Sequence, residues 1–143
     1  MRLPESIAGY ARVHNKAEED RIAKTASAQG LTATGAAYHG PAKEFTVVVL
    51  SGAPPGESPD PLFEQLASQA QADETLTVDT FHENEQFDRV DGSTTICAPV
   101  TGAASGSLCV WTDRQFTGWI LGLNIGVDEN RALVGDARRT IAG

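Results

Sequence analysis

The sequence predicts an α+β domain, in which two to three helices pack on an antiparallel sheet of about five to six strands. Strand-like alternation of apolar and polar residues recurs between positions 75 and 123. Two helix-like patterns lie among the earlier strands, and a third closes the chain. This order of elements is typical of α+β proteins, whereas a doubly wound fold alternates strand and helix throughout.

Length and charge limit the classes of protein to which the chain can belong. Its 143 residues suit a single globular domain over residues 1–143. No apolar stretch approaches 18 residues, so we expect no direct insertion of this domain into a membrane. The net charge of −8 argues against nucleic acid and anionic lipid as partners, because both need a basic surface.

The N-terminal part predicts an edge strand followed by a helix. Residues 7–13 alternate in the manner of a strand. Asn15 can cap the helix, and Glu18 completes an arrangement resembling a capping box. This helix is expected to run to about position 29, with Gly30 ending it.

Two strands and a second helix are predicted next. A short strand at 36–39 precedes a stronger one at 44–50, whose β-branched run suits a central strand buried on both faces. The proline-rich stretch 51–61 is expected to be a loop and a possible contact surface. The helix begins at Asp60-Pro61, and its apolar stripe consists of Leu62, Leu66 and Ala70.

Strand patterns dominate from position 75 onward, and a helix ends the chain. The predicted strands are 75–81, 87–90, two runs around the cysteines, and 116–123. The helix is expected over 128–141.

The two cysteines lie in the two β-prone runs, 93–98 and 108–112, with a small, glycine-containing turn between them. A hairpin centred at Ala103 places Cys97 opposite Cys109, within reach of a disulfide. The alternative is two buried free thiols. A disulfide implies an oxidising compartment. Because Met1–Pro4 begins no signal peptide, we expect an extracytoplasmic domain whose export signal or membrane anchor is missing from this chain.

Familiar catalytic and cofactor motifs are absent from the sequence. His14, His39 and His82 are widely separated, so we predict no metal site. No phosphate-binding glycine loop or nucleophile elbow is found, so we expect no cofactor and assign no catalytic residue. Whether the protein is an enzyme is left open, with a non-enzymatic role favoured.

Carboxylates are concentrated around His82, and two interpretations of them stand. Two carboxylates converging in a cleft would suit a hydrolase or a Ca²⁺ site. The alternative is a solvated turn between strands. The candidates are Asp79, Glu83, Glu85, Asp88 and Asp91.

The tryptophans Trp111 and Trp119 lie on neighbouring predicted strands. They would either floor a ligand or partner site, with Asp113 and Arg114 at its rim, or pack in the core against a disulfide.

Short motifs over nearly the whole chain share a pattern: Leu3-Pro4, Gly9-Tyr10, Ala37-Tyr38, Cys97, Cys109-Val110-Trp111-Thr112-Asp113, Gly118 and Arg138. The pattern resembles the small extracytoplasmic domain of uncharacterised, membrane-anchored actinobacterial proteins. Eight arginines to three lysines fit a GC-rich genome. The resemblance implies the disulfide and a missing anchor, and it implies no activity.

Three functions follow as hypotheses. The first is a non-enzymatic binding or sensing module for an envelope protein or a small ligand. The second is a carboxylate-dependent hydrolase that uses the acidic region 79–91. The third is a structural domain that self-associates.

Overall fold

The structure is a computed structural model that describes residues 3–14, 16–27, 32–41, 43–51, 76–79, 84–88, 93–102, 105–112 and 116–142. Its strands are β1 (Ser6–Ile7), β2 (Tyr10–Val13), β3 (Thr32–Gly40), β4 (Lys43–Ser51), β5 (Leu76–Val78), β6 (Asn84–Asp88), β7 (Ser93–Gly102), β8 (Gly106–Thr112) and β9 (Thr117–Leu123). Its helices are α1 (Lys16–Ser27) and α2 (Val127–Ala142). No helix in these ranges is both long enough and apolar enough to cross a membrane.

The nine strands in the described part of the chain form one antiparallel sheet, in the order β1-β2-β3-β4-β9-β8-β7-β5, with β6 also paired to β7. The hairpin β3–β4 and the meander β7–β8–β9 are each continuous in sequence. They join through β4 and β9, which places the longest pairings in the middle of the sheet.

The predicted fold class is wrong, because the described residues are mostly β: 56 of these 97 residues lie in strands and 28 in helices. The predicted sheet of five to six strands is too small. Strand β3 covers nine residues rather than the four expected, since residues 32–34 extend the ladder opposite Val49, Leu50 and Ser51 of β4. The predicted helix that begins at Asp60-Pro61 lies outside the described residues.

The predicted edge strand at 7–13 is a hairpin of two short strands. Ala8 and Gly9 form its turn with φ values of 52° and 86°. Two positive φ values are the requirement of the tight turn whose twist matches a β-hairpin. Gly9 supplies one of them at no steric cost, and it breaks the alternation that suggested one continuous strand.

One face of the sheet packs against α2. Its buried side chains include Tyr38, Phe45 and Ile120 on the strands and Leu133 and Ala137 on the helix. Leu3 and Ile7, from the first edge of the sheet, belong to the same buried cluster. The sheet therefore curls far enough for its first edge to reach the helix that also packs on β7, β8 and β9.

The opposite face of the meander is also buried. Its cluster consists of Val78, Ile96, Ala98, Val100, Leu108 and Val110. In β4, the consecutive residues Val47, Val48 and Val49 are all buried, as the prediction of a central strand covered on both faces requires.

Pro99 explains why the edge beside β7 is divided into two strands. Its carbonyl accepts a bond from the Asp79 amide, so its ring nitrogen faces the same edge and has no hydrogen to donate. Val78 pairs with Val100 and Asn84 with Cys97, so only Ala98 and Pro99 separate the two pairings on β7. The ladder is interrupted where the donor is missing.

Candidate functional site

The predicted disulfide is confirmed. Cys97 and Cys109 are directly opposite on β7 and β8, their Cα atoms are 4.1 Å apart, and their sulfurs are bonded. Since Pro99 turns its carbonyl toward β5, the amide and carbonyl of Cys97 also turn away from β8. The pair is therefore a non-hydrogen-bonded one, in which side chains are closest. Both cysteines are fully buried.

The two tryptophans lie on opposite faces of the sheet. Trp111 packs with Cys109 in the cluster beneath α2, whereas Trp119 packs with the cluster on the other face. Trp111 is 1% exposed, and its indole N–H has no hydrogen-bond partner among the described residues. The structure thus does not bring the two rings together in one site. Asp113 and Arg114 lie outside the described residues.

The structure places only part of the acidic region. Asp79 is half-buried, and its amide is bonded to Pro99. Glu85 and Asp88 occupy register positions opposite Ile96 and Ser93 on β7. Glu83 and Asp91 lie outside the described residues, and within the described ranges no group of three or more acidic, histidine or cysteine residues could hold a metal ion.

A polar cluster forms instead around Leu3–Ile7, which we call the N-terminal strap. Its first three carbonyls each accept a hydrogen bond. Arg12 Nη1 donates to the carbonyl of Leu3 at 3.0 Å, and the Tyr38 hydroxyl donates to that of Pro4 at 2.6 Å. The Arg12 amide donates to the carbonyl of Glu5 at 2.8 Å. Three consecutive peptide groups are thereby fixed by side chains and backbone from β2 and β3.

Arg12 also links the strap to α1. Its Nη2 atom donates to the Glu19 carboxylate, and the Arg12 side chain is only 12% exposed. The hydrogen bond from Arg12 to Glu19 is the largest cause that raises the pKa of Arg12. The guanidinium therefore stays charged and holds the strap with one nitrogen and the helix with the other.

A second polar contact between side chains lies at the exposed side of the strap. The His14 ring is 2.7 Å from the Glu5 carboxylate, and both side chains are more than 60% exposed. A pair this exposed contributes little to stability.

A buried polar junction holds the start of α2 on the sheet. The Asn130 side-chain amide donates to the carbonyls of Ser107 and Ile120, at 3.1 Å each. The Ser107 hydroxyl donates to the carbonyl of Ile125 at 2.7 Å. Asn130 and Ser107 are fully buried, so these bonds satisfy peptide groups that lie away from water.

Lys43 and Glu129 tie the β3–β4 turn to α2. Lys43 Nζ contacts both carboxylate oxygens of Glu129, at 2.8 and 3.0 Å. The hydrogen bond to Glu129 raises the pKa of Lys43. This contact and the Asn130 junction hold the same end of the helix, which fixes its direction across the sheet.

Neither the strap residues nor the side chains that bind them are among the site residues predicted from the sequence. The available signal is Arg12, which is the one charged side chain in the sequence 7–13 of the predicted edge strand. Its partner Glu19 lies in the first turn of a helix, where acidic residues are common for another reason. Tyr38 gives no signal, since an aromatic residue in a strand is ordinary.

Tyr38 makes a testable contribution to stability at high pH. Burial raises its pKa from 10.0 to about 12. A phenol that holds its proton more tightly when folded gives full stability below pH 10, and stability falls as the pH rises from 10 to about 12. We expect Tyr38→Phe to make this decline shallower in urea unfolding at stepped pH. At pH 7 the variant should lose about 1 kcal/mol, because the Pro4 carbonyl loses its donor.

Tyr10→Phe is the matched control for the alkaline measurement, because Tyr10 packs edge-on against Phe45 and leaves the bond between Tyr38 and Pro4 intact. The control should keep the steep alkaline decline. If the stability of Tyr38→Phe falls with rising pH as steeply as that of the wild type, Tyr38 does not titrate as described.

No family model matches the chain, and comparisons with curated proteins and with solved structures also returned no match.

Proposed function

We propose that the chain is the extracytoplasmic binding or sensing domain of a membrane-anchored bacterial protein. The observation that carries the proposal is the buried disulfide between Cys97 and Cys109. A disulfide in the core of a domain is consistent with an oxidising, extracytoplasmic compartment, because cytosolic thiols are kept reduced.

The strap supports the anchored part of the proposal. A tether joined ahead of Leu3 would meet the domain at a segment fixed by three hydrogen bonds and by the buried Leu3 side chain. Such a joint holds a domain more firmly than a loose linker does. The resemblance to anchored actinobacterial domains points the same way.

The binding part of the proposal names an envelope protein or a small ligand as the partner. The net charge of −8 favours a neutral or basic partner over nucleic acid or anionic lipid. The charged side chains around the strap contact a backbone carbonyl and one another, so their role in this proposal is to stabilise the fold and not to bind the partner.

Location is tested in cells of the native host with the complete gene product. Free thiols are blocked at the moment of lysis, and the membrane and soluble fractions are compared. We expect the protein in the membrane fraction, with both cysteines oxidised, and degraded when protease is added to cells stripped of their outer wall. A soluble cytosolic protein with two thiols that react would contradict the proposal.

Binding is tested by thermal unfolding of the purified, disulfide-intact chain in the presence of fractionated envelope extract. A partner that binds only the folded state raises the Tm with its concentration. An unrelated acidic protein of similar size controls for nonspecific effects. A Tm that no fraction raises argues against a binding domain. A Tm that rises with the chain's own concentration supports self-association instead.

A further inference from the structure

The N-terminal strap contacts four elements of the fold. Its last two residues pair with β2, and its Pro4 carbonyl is bonded to Tyr38 of β3. Leu3 and Ile7 pack in the cluster that contains Leu133 and Ala137 of α2. Its remaining link runs through Arg12 to α1.

The link to α1 depends on a single guanidinium. Arg12 places Nη1 on the Leu3 carbonyl and Nη2 on the Glu19 carboxylate, and the planar group fixes the two nitrogens relative to each other. If the strap leaves, Arg12 loses one of its two partners and the packing that keeps its side chain 12% exposed. The bond to Glu19 then becomes an ordinary exposed ion pair, which contributes little.

The helix α1 also packs on β3. Its side chains at positions 16, 17, 20, 21 and 24 are exposed. The bond from Arg12 to Glu19 joins this helix to the residue that holds the Leu3 carbonyl.

We propose that the strap and α1 form one coupled unit. Through Arg12, undocking of the strap destabilises α1, while the β7–β9 meander stays folded. Arg12 is a positioning residue in this unit. The coupling is a property of the chain itself and does not depend on the proposed anchor. With an N-terminal anchor, the same coupling would carry a pull on the tether to the α1 surface.

The test is native-state hydrogen exchange on the disulfide-intact chain. Tyr38→Phe removes the donor to Pro4 while Arg12 and Glu19 stay unchanged. We expect faster exchange of amides both in the strap and in α1, by about fivefold, the factor that corresponds to one lost hydrogen bond. Amides in β8 and β9 should keep their wild-type rates.

Two further variants separate coupling from general destabilisation. In a Glu19→Ala background, which lacks the acceptor for Arg12 Nη2, Tyr38→Phe should speed amide exchange in the strap with no additional effect on α1. Lys43→Gln removes an ion pair between the β3–β4 turn and α2, and it should leave α1 unaffected. The proposal is overturned if Tyr38→Phe, in the wild-type background, speeds amide exchange in the strap alone. It is also overturned if Lys43→Gln speeds amide exchange in α1 as much as Tyr38→Phe does.

Discussion

Replacing both cysteines, Cys97→Ala together with Cys109→Ala, is expected to lower the free energy of unfolding by about 3 kcal/mol. The bond joins residues separated by 12 positions, and removing it frees that loop in the unfolded chain. The two fully buried side chains also leave a small void beneath α2. Urea unfolding monitored by tryptophan fluorescence measures the change. The Tm should fall by about 10 °C for a domain of this size.

The oxidation state provides the control for this experiment. Reductant added during unfolding should bring the wild type close to the double variant and leave the double variant unchanged. Thiol titration of the denatured, unreduced wild type should find no reactive sulfhydryl. Two reactive sulfhydryls would show that the disulfide is absent and would remove the reason to expect an oxidising compartment.

Gly106→Ala is expected to destabilise the protein by about 3 kcal/mol or more. A Cβ at this position would overlap the carbonyl oxygen of Gly122 on the neighbouring strand. Backbone cannot move aside as a flexible side chain can, so β8 and β9 would separate where they pair. The same segment carries Ser107, which contacts Asn130, so the start of α2 would be displaced as well. Urea unfolding measures the loss.

Gly135→Ala is the matched control, because the same methyl group is added where space exists. Gly135 lies in the interior of α2, and an added Cβ would meet only the end of the Arg139 side chain at 3.5 Å. Alanine is the better helix former, so we expect a gain of about 0.5–1 kcal/mol. Opposite signs for the two substitutions would confirm the packing of β8 on β9. A neutral Gly106→Ala would mean that the two strands are not this close.

Local patterns predicted the parts of the fold that depend on neighbouring residues. The small turn between the two cysteine runs determined the register of β7 and β8, and from it the pairing of Cys97 with Cys109. The β-branched residues at 47–49 predicted a strand buried on both faces. The apolar spacing of Leu133, Val134 and Ala137 predicted the C-terminal helix and its buried side.

Other parts depend on contacts between distant residues, which no local pattern contains. Ala33 and Gly35 are weak strand formers by themselves, and they join β3 because β4 offers a ladder of equal length. Trp111 and Trp119 lie on opposite faces of the sheet because side chains alternate along each strand, and this is deduced only once the register of β8 on β9 is known. The strap cluster needs Tyr38 to reach a carbonyl 34 positions earlier.

The packing of Leu3 and Ile7 with Leu133 and Ala137 has a consequence for how the protein is made. These contacts join the strap to α2, more than 120 positions later, so the core is complete only after α2 has left the ribosome. Contacts of such long sequence separation form slowly, because a large loop must close before they reward the chain. A newly synthesised polypeptide of this kind therefore stays without its complete core for a time.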